Sequence, residues 1–166
     1  MKRKPQEHGF TLLEVMMVLV VALLIMAGVF GLVSQVMGDT KVKNAQENLA
    51  TLRIGVTNIY SGEHNYSGLN NQVARNAGIV PEKMYNSASG TDEITNEWNG
   101  GVTVAEDSSD PKFFTITYSN IPQDACVKLA TLTGYDNIAV DGTDVDGVTA
   151  ASTACTDGAS IVFSSR

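Results

Sequence analysis

A nearly continuous apolar segment at residues 10–33 constrains this chain more than any other feature of its sequence. Thr11 and Glu14 are its only polar side chains. As an α-helix, its roughly 24 residues have a length of about 36 Å, and the hydrocarbon core of a bilayer is about 30 Å thick. The segment is therefore predicted to be a transmembrane helix that holds the chain in membrane lipid.

Basic residues come directly before this segment, at Lys2, Arg3 and Lys4. The positive-inside rule keeps such an end in the cytoplasm, so the C-terminal part is predicted to cross the membrane. An ordinary secretory signal has a shorter apolar stretch, of 7–15 residues. The formal net charge of −7 argues against a nucleic-acid partner, because nucleic acid is bound by basic surfaces.

Glu14 needs a physical explanation, because an acidic side chain in a membrane helix costs on the order of 2.5–3.5 kcal/mol. No lysine or arginine follows it before Lys41. If the chain were cut after Gly9, the new amine at Phe10 would lie one helical turn from Glu14. In a packed array, the amine of one subunit can then neutralise Glu14 of its neighbour.

The run Gly9-Phe10-Thr11-Leu12-Leu13-Glu14, behind a short basic leader, resembles the class III signal of type IV prepilins. The resemblance implies that residues 1–9 are a leader, removed by a membrane-bound prepilin peptidase that also N-methylates Phe10. Gly9 and Phe10 are thus substrate positions. It further implies that Glu14 guides subunit docking into a filament, and that an inner-membrane assembly platform and its ATPase are partners.

Residues 34–61 are predicted to continue the helix as an amphipathic segment. The spacing of four and three residues places one set of apolar side chains on a single helical face. This set is Ala45, Leu49, Leu52, Val56 and Ile59. The helix is expected to end at about Tyr60.

Gly28, Gly31 and Gly38 lie close together within this long helix. Each weakens a helix by about 1 kcal/mol relative to alanine. They predict a place where the helix unwinds locally during filament packing. The alternative is close helix contact between small residues.

Residues 62–166 are predicted to form a globular head. Alternating patterns predict strands at residues 98–104, 113–118 and 161–163, and Pro122 predicts the start of a helix. The fold class is α+β: a long N-terminal helix packed against an antiparallel sheet. Residues 134–154 have few apolar side chains and are predicted to be an exposed loop.

Cys126 and Cys155 are the two cysteines of the chain. Because the head is predicted to lie in an oxidising compartment, one disulfide is their expected use. The loop that this disulfide closes has roughly 30 residues, which corresponds to about 3–4 kcal/mol of stability.

The head also resembles the type IVb pilins of bundle-forming and conjugative thin pili. Four runs carry the resemblance: Tyr66-Ser-Gly-Leu69, Gly78-Ile-Val-Pro81, Ile94-Thr-Asn-Glu-Trp-Asn-Gly-Gly101 and Asp124-Ala-Cys-Val-Lys-Leu-Ala-Thr-Leu132. The short leader and Phe10 are more like the type IVa pattern. The type IVb branch implies roles in adhesion, aggregation or stabilisation of mating pairs.

No catalytic, metal-binding or cofactor-binding site is predicted. The acidic run at residues 141–147 matches a calcium loop only in part, since the EF-hand pattern then places Gly142 at its first ligand position and Thr153 at its last. His64 has no neighbouring Cys or His at metal-ligand spacing. An exposed acidic loop is the stronger interpretation of residues 141–147.

The combined prediction is a major pilin, a structural protein rather than an enzyme. It is stored in the inner membrane with its head in the periplasm, then polymerises with copies of itself into an extracellular filament. The alternatives are a pseudopilin of a type II secretion system, a minor pilin, and a signal-anchored periplasmic binding module. Only the last of these leaves Glu14 unexplained.

Overall fold

The computed structural model describes residues 11–85 and 93–166, without the side chains at positions 29–36. Its helices are α1 (Leu12–Ile59), α2 (Asn71–Asn76), α3 (Gln123–Ala130) and α4 (Gly147–Ala154). Its strands are β1 (Ile94–Thr95), β2 (Gly101–Glu106), β3 (Phe114–Ile121), β4 (Asn137–Val140), β5 (Thr143–Asp144) and β6 (Ala159–Ser165). The chain divides into two compact units, the first ending at Asp39 and the second running from Thr40 to Arg166.

The second unit contains the last part of α1, which covers the hydrophobic core of the head. Four of the predicted apolar positions, Ala45, Leu49, Leu52 and Val56, are fully buried there. The expected end of the helix is confirmed, because α1 stops at Ile59. Ile59 itself was wrongly assigned to the buried face: its side chain is 39% exposed, and it is the last residue of the helix.

The sheet of the head has six strands in the order β1-β2-β3-β6-β4-β5, and every neighbouring pair is antiparallel. The last strand, β6, lies between β3 and β4. At its centre, Phe163 is paired with Ile116 on β3 and with Ile138 on β4. Phe163, Ile116 and Ile138 lie side by side on one face of the sheet, and this apolar face is buried against α1 and α3.

The α+β prediction is confirmed, as are the strands predicted near residues 113–118 and 161–163. The strand predicted at residues 98–104 begins later, at Gly101, because Trp98 and Asn99 form a turn. The helix predicted at Pro122 is α3, and Pro122 is its N-cap residue.

The prediction of an exposed loop at residues 134–154 was wrong. This segment forms β4, β5 and α4. Few apolar residues are enough to order β4, because Ile138 and Val140 both lie on its buried face while its backbone pairs with β6. Ala151 anchors α4 in the same way, with no exposed surface.

The predicted disulfide between Cys126 and Cys155 is confirmed. It joins the first half of α3 to the residue that follows α4, and the two cysteines are 0% and 1% exposed. The cross-link therefore fixes the β4–α4 segment to the core at the end where that segment returns to the sheet.

Candidate functional site

The first turn of α1 contains the residues that the sequence marks for assembly. Thr11 precedes the helix, and the backbone N–H of Glu14 lies 3.0 Å from the Thr11 carbonyl oxygen and 3.4 Å from its Oγ1. A threonine that accepts a hydrogen bond from the third helical residue is a typical N-cap. The Glu14 side chain is exposed. Gly9 and Phe10, the predicted cleavage and methylation positions, lie outside the described residues.

The apolar side chains in the first part of α1 are exposed. Between Leu12 and Met26, the exposed fraction of the large apolar side chains ranges from 48% at Val15 to 79% at Leu12. A contiguous apolar surface of this kind marks a contact with another protein or with a membrane.

Within residues 11–85 and 93–166, no helix combines the length and the hydropathy of a membrane span. The predicted span at residues 10–33 includes Phe10 and the side chains at positions 29–33, which lie outside the described residues. Its role in the membrane stays a prediction.

Two of the three glycines that the sequence marks for local unwinding, Gly28 and Gly38, lie beside open space. A Cβ atom built at Gly28 or at Gly38 meets no atom within 4 Å. The backbone of α1 remains helical through all three glycines, Gly31 included. Local unwinding on assembly therefore stays a prediction about the filament.

A buried polar contact joins Asn48 on α1 to Glu97, in the turn before β2. Asn48 is 1% exposed, and its Nδ2 donates a hydrogen bond to Oε1 of Glu97. Burial raises the pKa of the Glu97 carboxyl, and the nearby Asn48 and Lys83 offset part of this rise. Burial also raises the pKa of Tyr118 well above its usual value, and the charge of Glu97 adds to the effect.

Three atoms of this cluster, Asn48 Oδ1, Glu97 Oε2 and Tyr118 Oη, are buried and have no hydrogen-bond partner among the described residues. Polar atoms of this kind reduce stability unless they are paired. The cluster therefore destabilises the head most when Glu97 is ionised.

A tight turn before β2 holds Glu97 in place. Oδ1 of Asn96 accepts hydrogen bonds from the backbone N–H groups of Trp98 and Gly100, both at 2.9 Å, and its Nδ2 donates to the Ser119 carbonyl at 2.7 Å. A Cβ atom at Gly100 lies 1.8 Å from the Ser119 oxygen, so only glycine fits. Asn96 and Gly100 thus position Glu97 against α1.

Comparison with known families accounts for nearly the whole chain. The family described as PilS N terminal matches residues 39–166, and the prokaryotic N-terminal methylation motif matches residues 4–30. This chain is a type IV prepilin of the PilS family. The methylation motif covers Gly9 and Glu14, the two residues on which the predicted cleavage and docking roles depend.

Curated relatives of this pilin are pilus subunits. It is 28% identical over 130 residues to the major structural subunit of bundle-forming pilus of Escherichia coli O127:H6, covering 78% of this chain and 66% of the relative. It is 27% identical over 135 residues to the toxin coregulated pilin of Vibrio cholerae, covering 80% of this chain and 60% of that one. The pilin thus spans just under two thirds of the length of these relatives. The family is structural, not enzymatic.

Solved structures support the type IVb branch. The type IV b pilin from Salmonella typhi is 25% identical and superposes with a TM-score of 0.57, over 75% of this pilin and 97% of that chain. TcpA from Vibrio cholerae shares the fold, with a TM-score of 0.54 over 76% of this pilin and 99% of that chain, at 18% identity. The type IVb resemblance is confirmed, and the type IVa features of the leader do not alter it.

Two of the three carboxylates of the acidic run at residues 141–147 accept local hydrogen bonds. Oδ1 of Asp141 accepts a hydrogen bond from the Ser160 backbone N–H at 2.9 Å, and Oδ1 of Asp144 accepts one from Asn137 Nδ2 at 2.8 Å. Both bonds fix the turn between β4 and β5 and its contact with β6. Among the described residues, no cluster of metal-ligating side chains is present.

The sequence interpretation missed the polar residues that organise the head, Asn48, Asn71 and Asn96. Asn48 lies on the same helical face as its apolar neighbours, which is a signal that a buried partner exists but does not identify that partner. Asn96 precedes Asn99-Gly100-Gly101, a combination typical of a turn, and this was the one local signal of its role.

Proposed function

We propose that this pilin is the major subunit of a type IVb pilus and polymerises with copies of itself through the first part of α1. The observation that carries the proposal is the exposed apolar surface of α1, which begins beside the carboxylate of Glu14. A folded head with its own buried core needs no such surface for its own stability. Neighbouring copies of α1 can bury it in the centre of a filament.

Processing prepares this end for docking. Cleavage between Gly9 and Phe10 by a prepilin peptidase creates a terminal amine, which the same enzyme methylates. The amine keeps its positive charge and lies one turn from Glu14. Pairing between this amine and Glu14 of the neighbouring subunit removes the cost of burying either charge alone.

The same segment serves as a membrane anchor before assembly. Residues 10–33 hold the precursor in the inner membrane, with its leader in the cytoplasm and its head in the periplasm. An assembly platform and its ATPase then move the subunit from lipid into the filament. The apolar surface passes from lipid to protein and is not exposed to water at any stage.

The relatives support a role at the cell surface, because two of them are subunits of bundle-forming or toxin coregulated pili. Adhesion, cell aggregation or stabilisation of mating pairs are the roles we propose for the filament. Gly28, Gly31 and Gly38 supply the flexibility that packing of α1 requires.

Intact mass and N-terminal sequencing of sheared surface filaments test this proposal directly. The expected chain begins at methylated Phe10 and is lighter by two hydrogens because of the disulfide. A chain that still begins at Met1 and remains in the membrane fraction contradicts the proposal, and favours a signal-anchored module.

The docking role of Glu14 is tested by E14A, with E47A as the matched control. Glu47 is an exposed glutamate on the same helix, within the head. We expect E14A to be cleaved normally but to yield at least tenfold fewer filaments, while E47A assembles like the wild type. Normal filament yield from E14A, measured by shearing and immunoblotting, is the result that excludes this role.

A further inference from the structure

The outer edge of β2 is only partly covered by a strand. Among the described residues, β1 pairs with β2 at Gly101 and Val102 and extends no further. Residues two apart on a strand direct their backbone N–H and C=O groups to the same edge. The next outward backbone groups on β2 are therefore those of Val104. An edge with free groups of this kind invites another strand to pair with it.

The side chain of Asn71 covers this position. Its Nδ2 donates a hydrogen bond to the Val102 carbonyl at 2.9 Å, and its Oδ1 accepts one from the Val104 backbone N–H at 2.7 Å. A carboxamide carries an NH₂ donor and a C=O acceptor side by side, so it can bond one acceptor and one donor of a strand at once. Asn71 thus bonds the carbonyl of residue i and the N–H of residue i+2 on β2, two groups that point to the same edge and that a neighbouring strand pairs with in a sheet.

The helix that carries Asn71 is fixed in place by independent contacts. Ala74, on α2, and Leu69, just before it, are buried at 0% and 3% exposure. The Gly68 backbone N–H donates to Oε2 of Glu106 at the far end of β2, at 2.7 Å. The Asn71 amide therefore meets β2 in a defined geometry.

We propose that Asn71 is an edge cap, which occupies the strand-docking edge of β2 and prevents a strand from a second copy of this chain from pairing there. A β-strand is the partner that this edge fits, because its outward groups keep the spacing of a sheet ladder. A second copy is the relevant source of such a strand, since subunits that polymerise hold their heads at high local concentration. The cap acts on a single head and does not depend on assembly through α1.

Three variants of the full chain, purified in detergent micelles, test the edge cap. N71A removes both hydrogen bonds. N71D keeps an acceptor for the Val104 N–H and adds a charge to the edge, which itself opposes strand pairing. N70A is the matched control, because Oδ1 of Asn70 caps α2 through a 3.0 Å bond from the Val73 N–H and its Nδ2 donates to the Gly68 carbonyl rather than to β2.

The readouts are hydrogen exchange at the Val104 amide and the particle mass by light scattering. For N71A we expect exchange to be about tenfold faster or more, the effect of losing one or two net hydrogen bonds, together with β-rich oligomers. We expect N71D and N70A to remain monomeric, with Val104 exchange within threefold of the wild type.

Two results overturn the proposal. One is an N71A chain that stays monomeric, whatever its exchange rate. The other is equal oligomer formation by N70A, which assigns the effect to unfolding of α2. If N71A does not fold, N71D decides the matter alone: Val104 exchange that is tenfold faster than in the wild type excludes Asn71 as the acceptor at this edge.

Discussion

Breaking the bond between Cys126 and Cys155 in this pilin should lower its free energy of unfolding by about 3.6 kcal/mol. The two cysteines are 29 residues apart in sequence. In the chain-entropy model, a loop of this size removes about 12 cal/mol/K of entropy from the unfolded chain, which gives the quoted value at 25 °C. Reduction with dithiothreitol isolates this contribution, because both sulfur atoms stay in the core.

A double alanine variant, C126A with C155A, should lose more than the reduced wild type. Both side chains are buried, so removal of each sulfur leaves a small cavity that costs on the order of 1 kcal/mol. Alanine is chosen over serine because a buried hydroxyl without a partner adds a penalty of its own. The expected total is about 5 to 6 kcal/mol, which leaves the head marginally stable, since domains have about 5–15 kcal/mol in all.

Urea titration of the full chain in micelles measures both values. The fluorescence of Trp98, the single tryptophan, reports unfolding because its side chain is partly buried against the core. The reasoning is refuted if reduction costs less than about 1 kcal/mol. That result means that the unfolded chain retains structure between the two cysteines, so that the cross-link removes little of its entropy.

Two further predictions concern single substitutions, one at Glu97 in the head and one at two glycines of α1. Burial raises the pKa of Glu97, so the stabilising effect of its protonated form is complete below the unfolded pKa near 4.5 and is lost as pH rises through the folded pKa. E97Q should therefore have a higher thermal midpoint than the wild type at pH 7 and the same midpoint at pH 4. If E97Q and the wild type have equal midpoints at both pH values, the reasoning is contradicted. G55A should destabilise the head by about 1–3 kcal/mol, because its Cβ lies 2.6 Å from Cβ of Ile79. G38A meets open space and should be neutral or stabilising by up to about 1 kcal/mol; similar urea midpoints for the two glycine variants contradict the packing argument.

The elements that could be predicted from sequence are those whose information is local. Helix α1 follows from the spacing of Ala45, Leu49, Leu52 and Val56, because residues three or four apart share a face of a helix. Helix α3 follows from Pro122. The first-turn residues are contiguous in sequence, so the processing signal could be recognised without any knowledge of the fold.

The arrangement of the sheet could not be predicted, because it depends on pairing between distant residues. Nothing in the sequence of β6 indicates that it lies between β3 and β4, and the two registers at Phe163 join residues 47 and 25 positions away. The β4–α4 segment was mistaken for a loop for the same reason. The two buried residues of β4, Ile138 and Val140, are too few to signal a strand until β6 is placed beside them.

The asparagines of the head show why polar residues were the hardest to predict. A carboxamide carries both a donor and an acceptor, so Asn48, Asn71 and Asn96 each satisfy a different kind of partner: a carboxylate, a strand edge and a turn. Their sequence contexts give no means of choosing between these partners. Asn71 lies in the first turn of a short helix, where asparagine is ordinary, yet its amide completes the hydrogen-bonding of a strand 31 residues away. The hydrogen-bonding role of each amide in this head therefore depends on its position in the fold, whereas the processing signal at the start of α1 depends on the order of residues along the chain.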